Sequence, residues 1–161
     1  MKLNPILAAT LALGLLGTPA LAHDATKGDI TVDHPWARPN LPNRPAAAYF
    51  AITNNGDTAE RITAATSTVF GAIEIHTVKK EGEVMKMQPV EAIEIAPGET
   101  TMLEPGGFHL MLFDAAQVFE EGESFPITLV LENAGEIELE VKVEKRTGHE
   151  GGHDHGSGHS N

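Results

Sequence analysis

From residue 28 onward the chain alternates between apolar and polar positions. Over Glu136 to Glu144, Ile137, Leu139, Val141 and Val143 take one side, and Glu138, Glu140, Lys142 and Glu144 take the other. A period of two with one apolar side is the pattern of a half-buried β-strand. Phe125 to Glu132 repeats it with Ile127, Leu129 and Leu131 in phase, and Asn133-Ala134-Gly135 between the two runs suits a hairpin turn. The same reading predicts strands over 29–33, 46–54, 61–67, 72–78, 84–88, 92–95, 100–103 and 108–113. Turn signals separate them at Asn54-Asn55-Gly56-Asp57, Glu81-Gly82, Ala96-Pro97-Gly98 and Pro105-Gly106-Gly107. Helical periodicity is nearly absent. Many short strands at this spacing predict an all-β sandwich or barrel.

The two ends read differently. Lys2, the apolar run Ile6 to Leu16 and the closing Pro19-Ala20-Leu21-Ala22 form the pattern of a secretory signal peptide cut after Ala22. The apolar run is too short to cross a bilayer. The predicted division is a signal peptide over 1–22, a β-sandwich domain over 23–146 and a tail over 147–161. No membrane span is expected once the signal is removed. The tail holds His149, His153, His155 and His159 among glycines and serines, with no large apolar residue. It cannot bury enough surface to offset its ordering entropy, so a flexible His-rich segment is expected. The signal looks bacterial, so the expected destination is the periplasm or the outside of the cell, and the periplasmic reading is adopted.

Composition narrows the chemistry. The 161 residues suffice for one domain with a real core. Lys and Arg number 11 against 23 Asp and Glu, a net charge of −12, which argues against a nucleic-acid partner. There is no cysteine. Disulfides, thiolate zinc sites, iron–sulfur clusters, blue-copper centres and a cysteine nucleophile are therefore excluded. No G-x-S-x-G, H-E-x-x-H or phosphate loop points to hydrolysis.

The methionines are clustered. Apart from the initiator they are Met85, Met87, Met102 and Met111, all within 27 positions, and His76 and His109 fall in or beside that window. Strand parity puts His109 and Met111 on one side and Leu110 and Leu112 on the other. It puts His76 with Glu74, opposite Ile73 and Ile75, and Met87 with Met85, between Lys86 and Gln88. Singly, each is an ordinary gap-filling methionine or sheet histidine. A methionine used for packing belongs with the aliphatic residues, and these do not lie there. Thioether sulfur is soft and uncharged; it suits Cu(I) and poorly suits Mg, Ca or Mn. Zinc would accept the imidazoles and gain little from methionine. Two His and two Met give a neutral shell for a monovalent ion, one that a thiolate acceptor can strip. That is the behaviour of a carrier.

His76, ten residues, Met87, twenty-one residues, then His109-Leu110-Met111 resembles the H-x10-M-x21-H-x-M signature of the PCuAC family, the periplasmic copper(I) chaperones. His34-Pro35-Trp36-Ala37-Arg38-Pro39, the stretch AAAYFAITN over 46–54, Val84-Met85-Lys86-Met87 and Pro105 to Leu112 resemble further family segments. The resemblance covers roughly 28–145. It implies a cupredoxin-like (Ig-like) β-sandwich with an exposed Cu(I) site whose ligands are His76, Met87, His109 and Met111. It also implies delivery toward the CuA centre of cytochrome c oxidase, often together with a Sco-type thiol protein. Many members carry a methionine directly after the first histidine, where this chain has Thr77. Met85 is available as a substitute but is not counted among the ligands.

Two further places hold metal-binding groups. His149, His153, His155 and His159, with Glu150 and Asp154, offer imidazole and carboxylate suited to Cu(II). They serve either as a Cu(II)-collecting segment or simply as a solubilising tail. His23, as a new N-terminus, would offer its α-amine and imidazole to Cu(II), half of a histidine brace; the plainer reading is a frayed first residue. His34 and Trp36 are expected to be structural. The expected function is binding and transfer, not catalysis. The alternatives are a copper-dependent oxidase or oxygenase built on His23, and a periplasmic zinc or general metal buffer.

Overall fold

The computed structural model describes residues 24–145. The signal segment with its cleavage point, His23 and the tail histidines lie outside the described residues. Within them the chain forms eleven strands. In the N-terminal half these are β1 (Ala25–Lys27), β2 (Ile30–Ala37), β3 (Ala46–Asn54), β4 (Glu60–Thr66) and β5 (Phe70–Glu81). They are followed by β6 (Val84–Pro89), β7 (Ile93–Ile95), β8 (Thr100–Leu103), β9 (His109–Ala115), β10 (Ser124–Leu131) and β11 (Gly135–Val143).

The alternation decides which side of each strand is buried. In β11, Ile137, Leu139, Val141 and Val143 are buried while the charged residues between them are exposed. β10 pairs with it antiparallel, Ile127 opposite Leu139 and Leu129 opposite Ile137, so the two apolar sides coincide. Hydrogen bonding continues in the order β6-β5-β9-β3-β2-β11-β10-β4-β7, with β1 on β2 and β8 on β3. The join between the halves is parallel, through Lys142 opposite Trp36 and Val143 opposite Ala37. Phe50, Ile52, Ile75, Leu110 and Leu112 from one half share a core with Ile62, Ile93, Ile95, Ile127 and Leu129 from the other. Strands at opposite ends of the path can share one core only if the sheet folds over itself. The expected sandwich is therefore present. Each fully buried Leu, Ile or Phe contributes about 1.5–3 kcal/mol. Phe70, Phe119 and Phe125 close one region of the core, with ring centroids 5.0 Å apart for Phe70–Phe125 and Phe119–Phe125.

Four polar residues are buried among the described residues: Asn40, Asn54, Glu60 and His109. The first three are structural. The Asn40 side chain accepts from Phe119 N at 2.6 Å and donates to Gln117 O at 3.1 Å. Asn54 donates to Thr58 O and Ile95 O and accepts from Gly56 N. Glu60 accepts from the backbone N–H groups of Arg61, Asn133 and Ala134. Burial acts to raise the Glu60 carboxyl, but these hydrogen bonds and one from the Asn133 side chain outweigh it and hold the group below its ordinary value. His109 is different, and it lies on the other side of the sheet from the core.

Candidate metal centre

Residues directly opposite on paired antiparallel strands share a face of the sheet. His76 pairs with His109, and Glu74 with Met111, across β5 and β9. Val78 pairs with Met87 across β5 and β6. His76 and Val78 are two residues apart, so all four predicted ligands lie on one face. The intervening Ile75, Leu110 and Leu112 enter the core, which makes the ligand face the outer one. The two histidines form the middle row. Met111 is one register step to one side of it and Met87 one step to the other, each roughly 7 Å along the strand direction.

The histidine rings lie 5.8 Å apart between centroids. Each has one nitrogen committed to a protein acceptor. His109 Nδ1 donates to Gly107 O at 3.0 Å, which leaves Nε2 as the lone-pair nitrogen. The turn before β9 presents that carbonyl. Gly107 N donates to Glu104 O and Glu104 N to Phe108 O, with Gly106 at φ 91°, a conformation that favours glycine. His76 Nε2 donates to Glu74 Oε2 at 2.8 Å, which leaves Nδ1 as its lone-pair nitrogen. His76 Nδ1 and His109 Nε2 are the only buried side-chain nitrogen or oxygen atoms without a hydrogen-bond partner among the described residues. Each such atom costs about 1–3 kcal/mol unless something binds it. A carboxylate or carbonyl holding the far nitrogen of a ligating imidazole is the usual support of a metal site.

The donors differ in exposure. His109 is 2% exposed, whereas Met87 is 64% exposed. Behind His109 lies Tyr49, with centroids 6.4 Å apart, and Trp36 stacks on Tyr49 at 4.7 Å. Burial pushes the Tyr49 phenol up, and the Arg38 charge pulls in the opposite sense. This aromatic backing is what Trp36 and Tyr49 contribute. Trp36 is buried as expected; His34 is exposed and reaches Glu144 at 3.3 Å, so it serves the surface.

Two side residues are placed by register. Alternation along β5 turns Thr77 to the side opposite His76, where it pairs with Gln88. Met85 shares the face of Met87 but pairs with Lys80, one step further from the histidine row. Sequence reasoning left Met102 unassigned. It pairs with Ala51 across β3 and β8, and Ala51 shares its face with Tyr49, so Met102 also lies on the outer face. Parity with the buried Leu103 already turns Met102 outward; only the β3–β8 pairing places it beside Ala51.

No group of three or more His, Cys, Asp or Glu side chains is gathered for a metal among the described residues. The arrangement is two imidazoles among thioethers.

The family described as "Putative lipoprotein LpqE-like" matches residues 30–143. An uncharacterized protein of Rickettsia prowazekii, RP573, is 29% identical over 114 residues, 68% of this chain. The match spans 63% of that relative's length, less than two thirds. Among solved structures, the apo PCuAC domain from PmoF1 has a TM-score of 0.66 at 30% identity, covering 77% of this chain and 100% of its own. The copper-bound PCuAC domain from PmoF2 has a TM-score of 0.66 at 28% identity, covering 77% of this chain and 99% of its own. With the signature on one face of a cupredoxin-like sandwich, the chain belongs to the LpqE-like family and is a PCuAC domain.

Proposed function

We propose that this protein is a carrier of Cu(I), held by His76 Nδ1, His109 Nε2 and the thioethers of Met87 and Met111. The observation that carries the reading is the pair of buried, partnerless ring nitrogens on a face whose other donors are thioethers. The likeness to a copper-bound PCuAC domain supports it. All four donors are neutral, so the bound ion keeps its single charge and sheds no proton from the thioethers. His109 is locked by Gly107 and anchors the ion from below; Met87 stands at the surface and yields first to an incoming ligand. The ion is thereby gripped on one side and approachable on the other, which suits transfer to a stronger thiolate acceptor.

Export to the cell envelope fits both the signal-like N-terminus and the lipoprotein description of the family. The proposed location is the periplasm, after cleavage behind Ala22. The proposed acceptor is the CuA-bearing subunit of cytochrome c oxidase or a Sco-type thiol protein. A Cu(II)-collecting role for His23, His149, His153, His155 and His159 belongs to the same proposal. Competition tests the central reading. Cu(I) at one equivalent should stay bound in the presence of excess Zn(II). Displacement by Zn(II) would identify a zinc buffer instead.

A further inference from the structure

Three of the six exposed large apolar side chains among the described residues are methionines: Met85, Met87 and Met102, at 58%, 64% and 50%. All three share the outer face. Exposure of so much thioether is unusual for a residue normally used to fill cores. Their distances from the histidine row differ. Met87 is one register step from it. Met85 is two steps away, opposite Lys80. Met102 is opposite Ala51, which follows by two residues the Tyr49 whose ring lies beside His109. Met102 is thus as near to His109 along the sheet as Met87 is to His76, and it approaches from the same side of the row.

We infer that Met102 is an exchange ligand for the copper carried at this site, a fifth donor and a third thioether that binds the ion only while it enters or leaves. The inference rests on the carrier reading above. In the step, a Cu–S bond to Met102 forms as the Cu–S bond to Met87 breaks, while His76, His109 and Met111 stay attached. One neutral thioether replaces another, so copper remains Cu(I) and no proton or electron moves. The acceptor then meets an ion whose outermost ligand, Met87, has already left. Met85, one step too far, takes no part and serves as the internal control.

The test uses the full chain with its methionine methyl groups labelled with carbon-13, titrated anaerobically with Cu(I). Met87 and Met111 should each show separate free and loaded signals. Met102 should broaden in the loaded protein and Met85 should not move. In parallel, Met102→Leu should slow removal of Cu(I) by the chelator bathocuproine disulfonate about tenfold while leaving affinity within about threefold of the parent. Leucine at a half-exposed position keeps the fold, which circular dichroism checks. A Met102 methyl as still as that of Met85, or an unchanged removal rate, overturns the inference. So does a loss of affinity as large as that of Met87→Leu, which would make Met102 a resident ligand. If Met87 and Met111 themselves do not respond, the carrier reading fails as well, and that outcome is distinct from a silent Met102 alone.

Discussion

His76 and His109 face each other across β5 and β9, and each offers a buried lone-pair nitrogen that no protein donor satisfies. Folding leaves this pair without a protein partner, at a cost that an ion bound between them would relieve. Ligand that binds the folded chain alone stabilises it by about 2.7 kcal/mol at one hundred times its dissociation constant. Thermal unfolding with and without Cu(I) should show a marked upward shift of Tm, and His109→Ala should abolish the shift.

Ligands and their supports separate by magnitude. Glu74→Ala removes the acceptor of His76 Nε2 and should weaken Cu(I) by about 10–100-fold, the usual cost of losing an outer partner. Met87→Leu removes a proposed ligand and should cost more than that for Cu(I), with little change for Cu(II). Met87 is exposed, so the fold should be unaffected. Chelator competition in both oxidation states measures the difference.

Trp36 is the only tryptophan. Its ring stacks on Tyr49, which lies beside His109, so copper held by His109 as proposed would sit one ring away from the stack. Loading should therefore change Trp36 emission in proportion to occupancy. His109→Ala should remove the response while leaving the emission of the metal-free protein near that of the parent.

Acid should act on the fold through Glu60. Its carboxyl is held below its ordinary value in the folded chain, so its stabilisation is complete above the unfolded-state value and lost as pH falls through the lower folded one. Glu60→Gln should flatten that acid loss. Glu60→Ala should destabilise the protein by about 2–3 kcal/mol at neutral pH, because the N–H groups of Asn133 and Ala134 lose a charged acceptor. Chemical denaturation across the acid range reads both.

Much of this architecture is legible in the alternation. β3 and β8 fall where the pattern puts them, and β11 differs by a residue at each end. β2 runs beyond Asp33 to Ala37 because a register shift between Asp33 and Trp36, with His34 at φ 48°, breaks the period without ending the strand. β1 carries no apolar pattern and exists through its pairing with Ile30 to Val32. The shared side of His109 and Met111 follows from parity alone. What parity cannot supply is non-local: the pairing of His76 with His109, the carbonyl that the Gly107 turn aims at Nδ1, and the place of Met102 beside Ala51.

The most direct test of the account is X-ray absorption at the copper edge of the Cu(I)-loaded full chain. Sulfur from Met87 and Met111 and nitrogen from His76 and His109 should surround the ion in equal number, and Met111→Leu, whose place no other methionine is positioned to take, should lower the sulfur count. A shell of nitrogen and oxygen alone would contradict the assignment of these four side chains as the copper site.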